Sequence, residues 1–154
     1  MAKMIRTMLV LLPGMLGFGT ADADNDRARF NYMIHRQGCH LPDASGYQDK
    51  VPRMKNFLGF FLHSQEGRDF IIQVPGVSLA QLPDDEIAEL MNWLINAYSA
   101  EQRPDEFVPY TQSEVNALRQ SPEADPLTTR LRILRAIAVQ QPDLARELTA
   151  SYRE

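Results

Sequence analysis

The 154-residue sequence predicts a mainly α-helical protein. The strongest indication is a stripe of apolar residues in residues 84–98, repeating at the intervals of three and four that an amphipathic helix requires. The stripe consists of Ile87, Leu90, Met91, Leu94, Ile95 and Tyr98. A second stripe runs through Leu127, Leu131, Leu134 and Ile137. The apolar share of 44% and the charged share of 23% are those of an ordinary globular protein.

The N-terminal half predicts two helices with loops around them. Asn25 and Asp26 can cap a short helix through residue 34, whose apolar face would hold Phe30, Met33 and Ile34. Residues 41–46 predict a loop because they include Pro, Asp, Ser and Gly. The aromatic residues 57–63 predict a buried helix with Gly67 as its stop, and residues 70–74 a helix end or an extended loop.

The C-terminal half predicts helices with clear start signals. Asp84 precedes the first stripe as a cap, and Thr111 and Glu114 form a capping box for a short helix through residue 118. The helix carrying the second stripe should end near Pro142, and residues 143–152 can add one or two further turns.

The N-terminus predicts an export signal over residues 1–23. Lys3 and Arg6 are basic, residues 8–18 are apolar, and Ala21-Asp22-Ala23 offers a cleavage site. Its removal subtracts two positive charges and one negative charge, so the formal net charge moves from −4 to −5. We therefore expect a periplasmic protein with no membrane span in the mature chain and no nucleic-acid partner.

The chemistry of the chain centres on Arg36-Gln37-Gly38-Cys39-His40. Cys followed by His is the second half of the haem c attachment motif C-x-x-C-H, and Arg36 stands where the first Cys belongs. A lone thiol in an exported protein is reactive, which favours a Cys39 that is consumed by a covalent bond to a cofactor over a buried, inert Cys39.

These residues resemble the class I cytochromes c, with a degenerate R-x-x-C-H motif. The similar order is an N-terminal helix, the motif, a Pro/Gly loop, middle helices and a helix opened by residues 82–87, over roughly residues 26–99. The resemblance implies a cytochrome c-like helical haem domain over residues 24–99, with residues 100–154 as a helical C-terminal extension. It also implies that the first and last helices cross through Phe30 and Trp93 or Tyr98.

The resemblance implies a site in which haem c is held by one thioether. Cys39 would form that bond, and His40 would bind the iron as the proximal axial ligand. The usual distal Met is missing from residues 74–81, so Met54 is the first substitute and His63 the second. Met91 lies on the apolar stripe, where core packing explains it. Arg53 and Arg68 could pair with haem propionates or lie in solvent, and Arg36 would be a surface substitution at the haem edge.

Three functions fit this reading. The first is a periplasmic one-electron carrier, not an enzyme, that exchanges electrons with redox proteins such as a dehydrogenase or an oxidase. The second is a haem-less interaction subunit of a periplasmic redox enzyme. The third is a haem sensor or peroxidase-like protein with an open sixth site on the iron.

Overall fold

The computed structural model describes residues 20–48 and 50–151, and these residues confirm the mainly helical prediction. The α-helices are α1 (Thr20–His35), α2 (Gln65–Gln73), α3 (Pro75–Ser78), α4 (Asp84–Tyr98), α5 (Gln112–Arg119), α6 (Pro126–Gln140) and α7 (Pro142–Ser151). Two 3-10 helices cover Leu58–His63 and Ala100–Gln102. The basic and apolar parts of the predicted export signal lie outside the described residues. None of the helices in the described ranges is long and apolar enough to cross a membrane.

Helix α1 packs against α4, but not through the residues predicted from its apolar spacing. Phe30 is 60% exposed, whereas Tyr32 is 1% exposed and packs between the rings of Trp93 and Tyr98. The Asn31 amide donates to the Glu86 carboxylate at 2.8 Å on the same side of α1. Hydrogen bonding and ring packing therefore choose the face that α1 buries, and the prediction that Phe30 makes the crossing is wrong.

The middle of the chain is a tightly packed aromatic region. Phe60 and Phe61 of the 3-10 helix are each 1% exposed, which confirms a buried helix in this segment. Gly67 does not stop that helix, because it lies in the first turn of α2, where the Ser64 side chain caps the helix. A Cβ at Gly67 would lie 2.1 Å from the carbonyl oxygen of Phe61, so close packing requires glycine here. Helix α2 continues to Gln73.

Helix α4 begins at Asp84, one residue after Pro83, and has no side-chain cap at its start. Asp84 is therefore the first helical residue and not the cap that the sequence predicted. The predicted stripe is confirmed as core: Ile87, Leu90 and Ile95 are 0% exposed. At α5, the Thr111 hydroxyl accepts from the Glu114 amide at 3.2 Å as predicted, while the Glu114 carboxylate binds Arg68.

Leu134 and Ile137 of the stripe predicted for α6 are buried, whereas the first two residues of that stripe are not. Leu127 is 68% exposed and Leu131 37%, and the buried face is formed by Ile133, Leu134 and Ile137. This face joins the same hydrophobic cluster as α4 and the Leu58–His63 helix, together with Tyr110 and Val115. The C-terminal extension thus completes the core of the preceding residues, and the domain boundary at residue 99 stays a prediction.

Candidate functional site

The residues after α1 form a tight turn that sends Cys39 and His40 to different environments. The amides of Cys39 and His40 both donate to the carbonyl oxygen of Arg36, at 2.9 and 2.8 Å. Cys39 is exposed, whereas His40 is partly buried. The turn therefore presents the thiol to solvent and directs the imidazole toward the protein.

Arg36 is buried, with 8% of its surface exposed. One guanidinium nitrogen, Nη1, donates to the carbonyl oxygen of Gly76 at the start of α3, and the other, Nη2, is buried without a hydrogen-bond partner among the residues that the structure describes. Burial lowers the pKa of Arg36 from its usual value. The expectation of a surface substitution is wrong, because this side chain connects the Cys39–His40 turn to α3 through the interior.

The His40 imidazole is in an environment that keeps it neutral. Burial lowers its pKa, and the nearby Arg36 charge lowers it further. Its Nδ1 atom is buried and has no hydrogen-bond partner. A His that binds a metal through Nε2 normally donates Nδ1–H to a carboxylate or a carbonyl. No such acceptor meets Nδ1 among the described residues, and the role of His40 as proximal ligand stays a prediction.

Met54, the predicted distal ligand, is partly buried against the hydrophobic core. Its amide donates to the carbonyl oxygen of Ala44 at 2.9 Å, and Ala44 itself has a left-handed backbone with a φ of 63°. These contacts hold Met54 as a packing residue. No hydrogen bond in the described part of the chain joins it to the turn that carries Cys39 and His40, so its role as ligand stays a prediction.

The other candidates have structural partners. The Nε2 atom of His63 lies 3.0 Å from the carbonyl oxygen of Gln102, which only accepts, so Nε2 donates to it here and the role of His63 as a ligand stays a prediction. Met91 is 2% exposed, which confirms its place in the core. The Arg68 guanidinium pairs with the Glu114 carboxylate and lies over the Tyr110 ring. Arg53 donates to the carbonyl oxygen of Lys55.

The interior formed by α4 and the aromatic segment is closely packed by side chains. Haem in a class I site is held against an apolar interior, and here the inward residues of α4 and of the aromatic segment are already covered by protein. Leu90, Leu94, Phe57 and Phe60 are at most 1% exposed. Two cavities are found in the described residues. One, of about 420 Å³, is lined by residues of α7, and the other, of about 360 Å³, is lined by residues around Arg68. Neither is lined by Cys39, His40 or Met54.

Two observations bear on whether the described residues could hold a haem between His40 and Met54, and that site stays a prediction. Arg36 takes the interior position beside the motif, and Nδ1 of His40 lacks its supporting acceptor. Nowhere in the described residues do three or more His, Cys, Asp and Glu side chains come together as a group that could hold a metal ion.

Two curated proteins show what the chain is similar to. It is 30% identical over 136 residues to a cytochrome c-552 of Thermus thermophilus, covering 75% of this chain and 87% of that protein. The chain belongs to the cytochrome c-552 family. A second cytochrome c-552 of Thermus thermophilus is 28% identical over 100 residues, covering 53% of this chain and 76% of its own length. No family model and no solved structure matches the chain.

Family membership confirms that this is a cytochrome c-like protein. The match to the first of the two Thermus proteins covers 75% of the chain, whereas residues 24–99 are about half of it, so the likeness to the cytochrome c-552 family extends beyond the predicted haem domain.

One residue near the site was missed by sequence reasoning. Arg119, at the end of α5, donates to the carbonyl oxygens of Ser78, Ala80 and Leu82 at 2.7–3.1 Å, and pairs with Asp84. It therefore holds the segment in which the usual distal Met was sought. An arginine in the last turn of a helix is too common to indicate such a role, because a cation is favourable at any helix C-terminus.

Proposed function

We propose that this chain is a cytochrome c-552 family member that no longer seats haem and that serves an exported redox system by binding a redox protein. The observation that carries this proposal is the buried Arg36, which stands three residues before Cys39 and whose guanidinium is bound to the Gly76 carbonyl. An arginine in that position cannot form the first thioether of the motif, and its side chain occupies the interior beside the Cys39–His40 turn.

The packed core supports the same conclusion. A protein that depends on a buried prosthetic group leaves its lining side chains uncovered when the group is removed. Here the interior residues of α4 reach 0–5% exposure through contacts with the polypeptide alone. Such packing suits a subunit that acts through its surface.

The family favours electron transfer over catalysis. Both relatives carry the name cytochrome, which refers to haem proteins of electron transfer. The chain would accordingly bind a redox protein, with a periplasmic dehydrogenase or oxidase as the partner. The predicted export signal, formed by Lys3, Arg6 and the apolar residues 8–18, supports the periplasm as the location.

The surface offers a site for such a partner on α1. Phe30, Met33 and Ile34 lie at intervals of three and four residues, and they are 60%, 49% and 61% exposed. A contiguous group of exposed apolar side chains often marks a site of protein–protein contact. The net charge of −4 favours a partner with a basic surface around its apolar contact.

A second candidate is the one-electron carrier that the sequence favours. The observation in its favour is the exposed Cys39 thiol directly before His40, whose lowered pKa keeps the imidazole neutral. In that case haem c would be attached by one thioether at Cys39, with His40 as the proximal ligand and Met54 as the distal one. The haem would supply a reversible one-electron couple, and the chain would exclude water and orient the axial ligands.

The experiment that separates the two candidates is expression of the full chain in a bacterium that attaches haem c in its periplasm. A Thermus cytochrome c-552 in the same host is the positive control. We expect the purified protein to lack haem absorbance and to have the mass of the polypeptide alone. A covalent haem on the wild type, with a reduced pyridine haemochrome band to the red of a two-thioether protein, would instead establish the one-thioether carrier.

The Arg36→Cys variant sharpens this test because it restores C-x-x-C-H and removes the buried cation in one change. Covalent haem in this variant but not in the wild type would identify Arg36 as the barrier. If the wild type does carry haem, Met54→Ala should abolish its ferric charge-transfer band and lower its potential, as loss of a thioether ligand does.

A further inference from the structure

The methionines of the described residues differ in their contact with solvent. Met33 on α1 is 49% exposed, Met54 is partly buried against the core, and Met91 is 2% exposed within it. Residues 24–154, the predicted mature chain, contain these three methionines and no other. A dissolved oxidant must reach the thioether sulfur before it can react, so exposure sets the order of reaction. Met33 is therefore the methionine that such an oxidant modifies first.

Met33 lies on the face of α1 that the proposed function assigns to a redox protein. Phe30 lies three residues before Met33 and four before Ile34, so it neighbours both on the helix surface, and all three are exposed. Oxidation of the Met33 sulfur gives a sulfoxide, a polar group whose oxygen accepts hydrogen bonds from water. A partner that covers the sulfoxide must remove that water, and this costs free energy unless the partner supplies a hydrogen bond.

The attachment of α1 to α4 leaves Met33 out of the core. Asn31 and Tyr32 make the contacts with α4. In the part of the chain that the structure describes, Met33 belongs neither to the hydrophobic cluster nor to the side chains packed against it. An oxygen added to its sulfur therefore changes the surface of α1 and leaves the packing of the helix intact.

We propose that Met33 is a reversible oxidation site that controls the binding of a partner to the α1 face. In the thioether form the face is continuous and apolar, and it binds the partner. In the sulfoxide form a polar group interrupts the face, and binding is weakened. The inference rests on the proposed partner-binding role, and it names how that role is regulated.

The oxidant is hydrogen peroxide. A lone pair of the Met33 sulfur attacks one peroxide oxygen, the O–O bond breaks, and the proton of the transferred oxygen leaves with the departing hydroxide as water. The sulfur is oxidised by two electrons, and the peroxide is reduced by two. A thiol-dependent methionine sulfoxide reductase reverses the change: the sulfoxide oxygen leaves as water, and two thiols become a disulfide.

The test uses the full chain as purified, and its absorbance records whether haem is bound, so that failure of the proposed function is recognised separately. Hydrogen peroxide is added at neutral pH, and peptide mass spectrometry follows each methionine over time. Retention on a phenyl column measures the apolar surface of the same samples. We expect Met33 to gain an oxygen about tenfold faster than Met91, with a loss of retention that follows Met33 and no change in Tm. A methionine sulfoxide reductase with dithiothreitol should restore the retention.

Matched variants identify the residue responsible. Met33→Leu keeps an apolar side chain that peroxide does not oxidise, and its retention should not change on treatment. It also keeps the exposed Cys39, so that any effect of thiol oxidation remains visible in it. Met33→Gln should show the low retention of the oxidised wild type without peroxide, and Met54→Leu should respond as the wild type does.

The proposal is overturned if Met54 or Met91 is oxidised before Met33, if retention falls equally in Met33→Leu, or if complete oxidation of Met33 leaves retention unchanged. A fall in Tm that accompanies the oxidation of Met33 would also overturn it, because the change would then be damage to the fold.

Discussion

The rings of Tyr32 and Trp93 lie 5.7 Å apart at the point where α1 crosses α4. Tyr98 closes the group, with ring centroids 6.1 Å from Tyr32 and 5.5 Å from Trp93. The Tyr32 hydroxyl also donates to the carbonyl oxygen of Leu41, beyond the turn that carries Cys39 and His40. A single side chain thus fixes both the helix crossing and the end of the turn.

Tyr32→Ala should lower the free energy of unfolding by about 3–5 kcal/mol, the usual cost of removing a buried aromatic ring. Tyr32→Phe should cost only about 1 kcal/mol, because it keeps the ring and loses one hydrogen bond. Phe30→Ala is the matched control on the same helix, and its exposure predicts a change within about 0.5 kcal/mol. Urea denaturation measures all three. Equal losses in Phe30→Ala and Tyr32→Ala would contradict the observed face of α1.

The two methionines considered as ligands should differ in stability. Met91→Ala should cost about 2–5 kcal/mol, because the side chain is 2% exposed in the core. Met54→Ala should cost less, about 1 kcal/mol, because Met54 is only partly buried. The comparison is made by denaturant titration of the haem-free protein. A larger loss for Met54 would show that it carries more of the packing than its exposure indicates.

Stability at low pH should depend on Asp84. Its carboxyl pKa lies below the usual value, first because Asn116 donates to it and second because Arg119 does. The resulting stabilisation is present above the unfolded pKa of about 4 and is lost as the pH falls through the lower folded pKa. The free energy of unfolding should therefore decrease as the pH falls below about 4, and Asp84→Asn should reduce this dependence. Asp85→Asn, an exposed change in the same helical turn, should leave the dependence intact.

A chain that ends at residue 99 should not fold cooperatively. The removed residues include Tyr110, Val115 and Ile133, which are 0–3% exposed within the same cluster as α4. Their loss uncovers the aromatic residues of the Leu58–His63 helix and of α2. Circular dichroism during thermal unfolding is the measurement, with the full chain as control. A sharp transition in the shortened chain would establish residues 24–99 as an independent domain.

The sequence predicted most of the fold because periodicity and caps are local signals. The structure agrees with three of these predictions: the α4 stripe, the Thr111 cap and the end of α6 near Pro142. The face of α1 was predicted wrongly, and only Leu134 and Ile137 of the predicted α6 stripe are buried, since apolar spacing alone does not reveal which side meets a neighbour. Asn31 and Tyr32 gain their role from Glu86 and Trp93, which lie more than fifty residues away along the chain.

The candidate site could be predicted only in part. Cys39 and His40 were recognised by their adjacency, and the geometry keeps them in one turn. The burial of Arg36 could not be predicted, because an arginine in a turn is exposed in most proteins. Its position depends on the Gly76 carbonyl, forty residues away, and only the assembled fold brings the two together.

The contacts of Arg119 determine when the 78–82 segment can fold as the chain is made. Its bonds to Ser78, Ala80, Leu82 and Asp84 span 35–41 residues of sequence. A chain that emerges N-terminus first, from the ribosome or across the membrane, therefore exposes the 78–82 segment, with its carbonyls in water, until α5 has emerged as well. Contacts over such separations also slow folding, because the intervening chain must first close on itself. On a chain that is not yet complete to α5, the 78–82 segment thus lacks the side chain that holds it, and we expect proteases to cleave there more readily than in the finished protein.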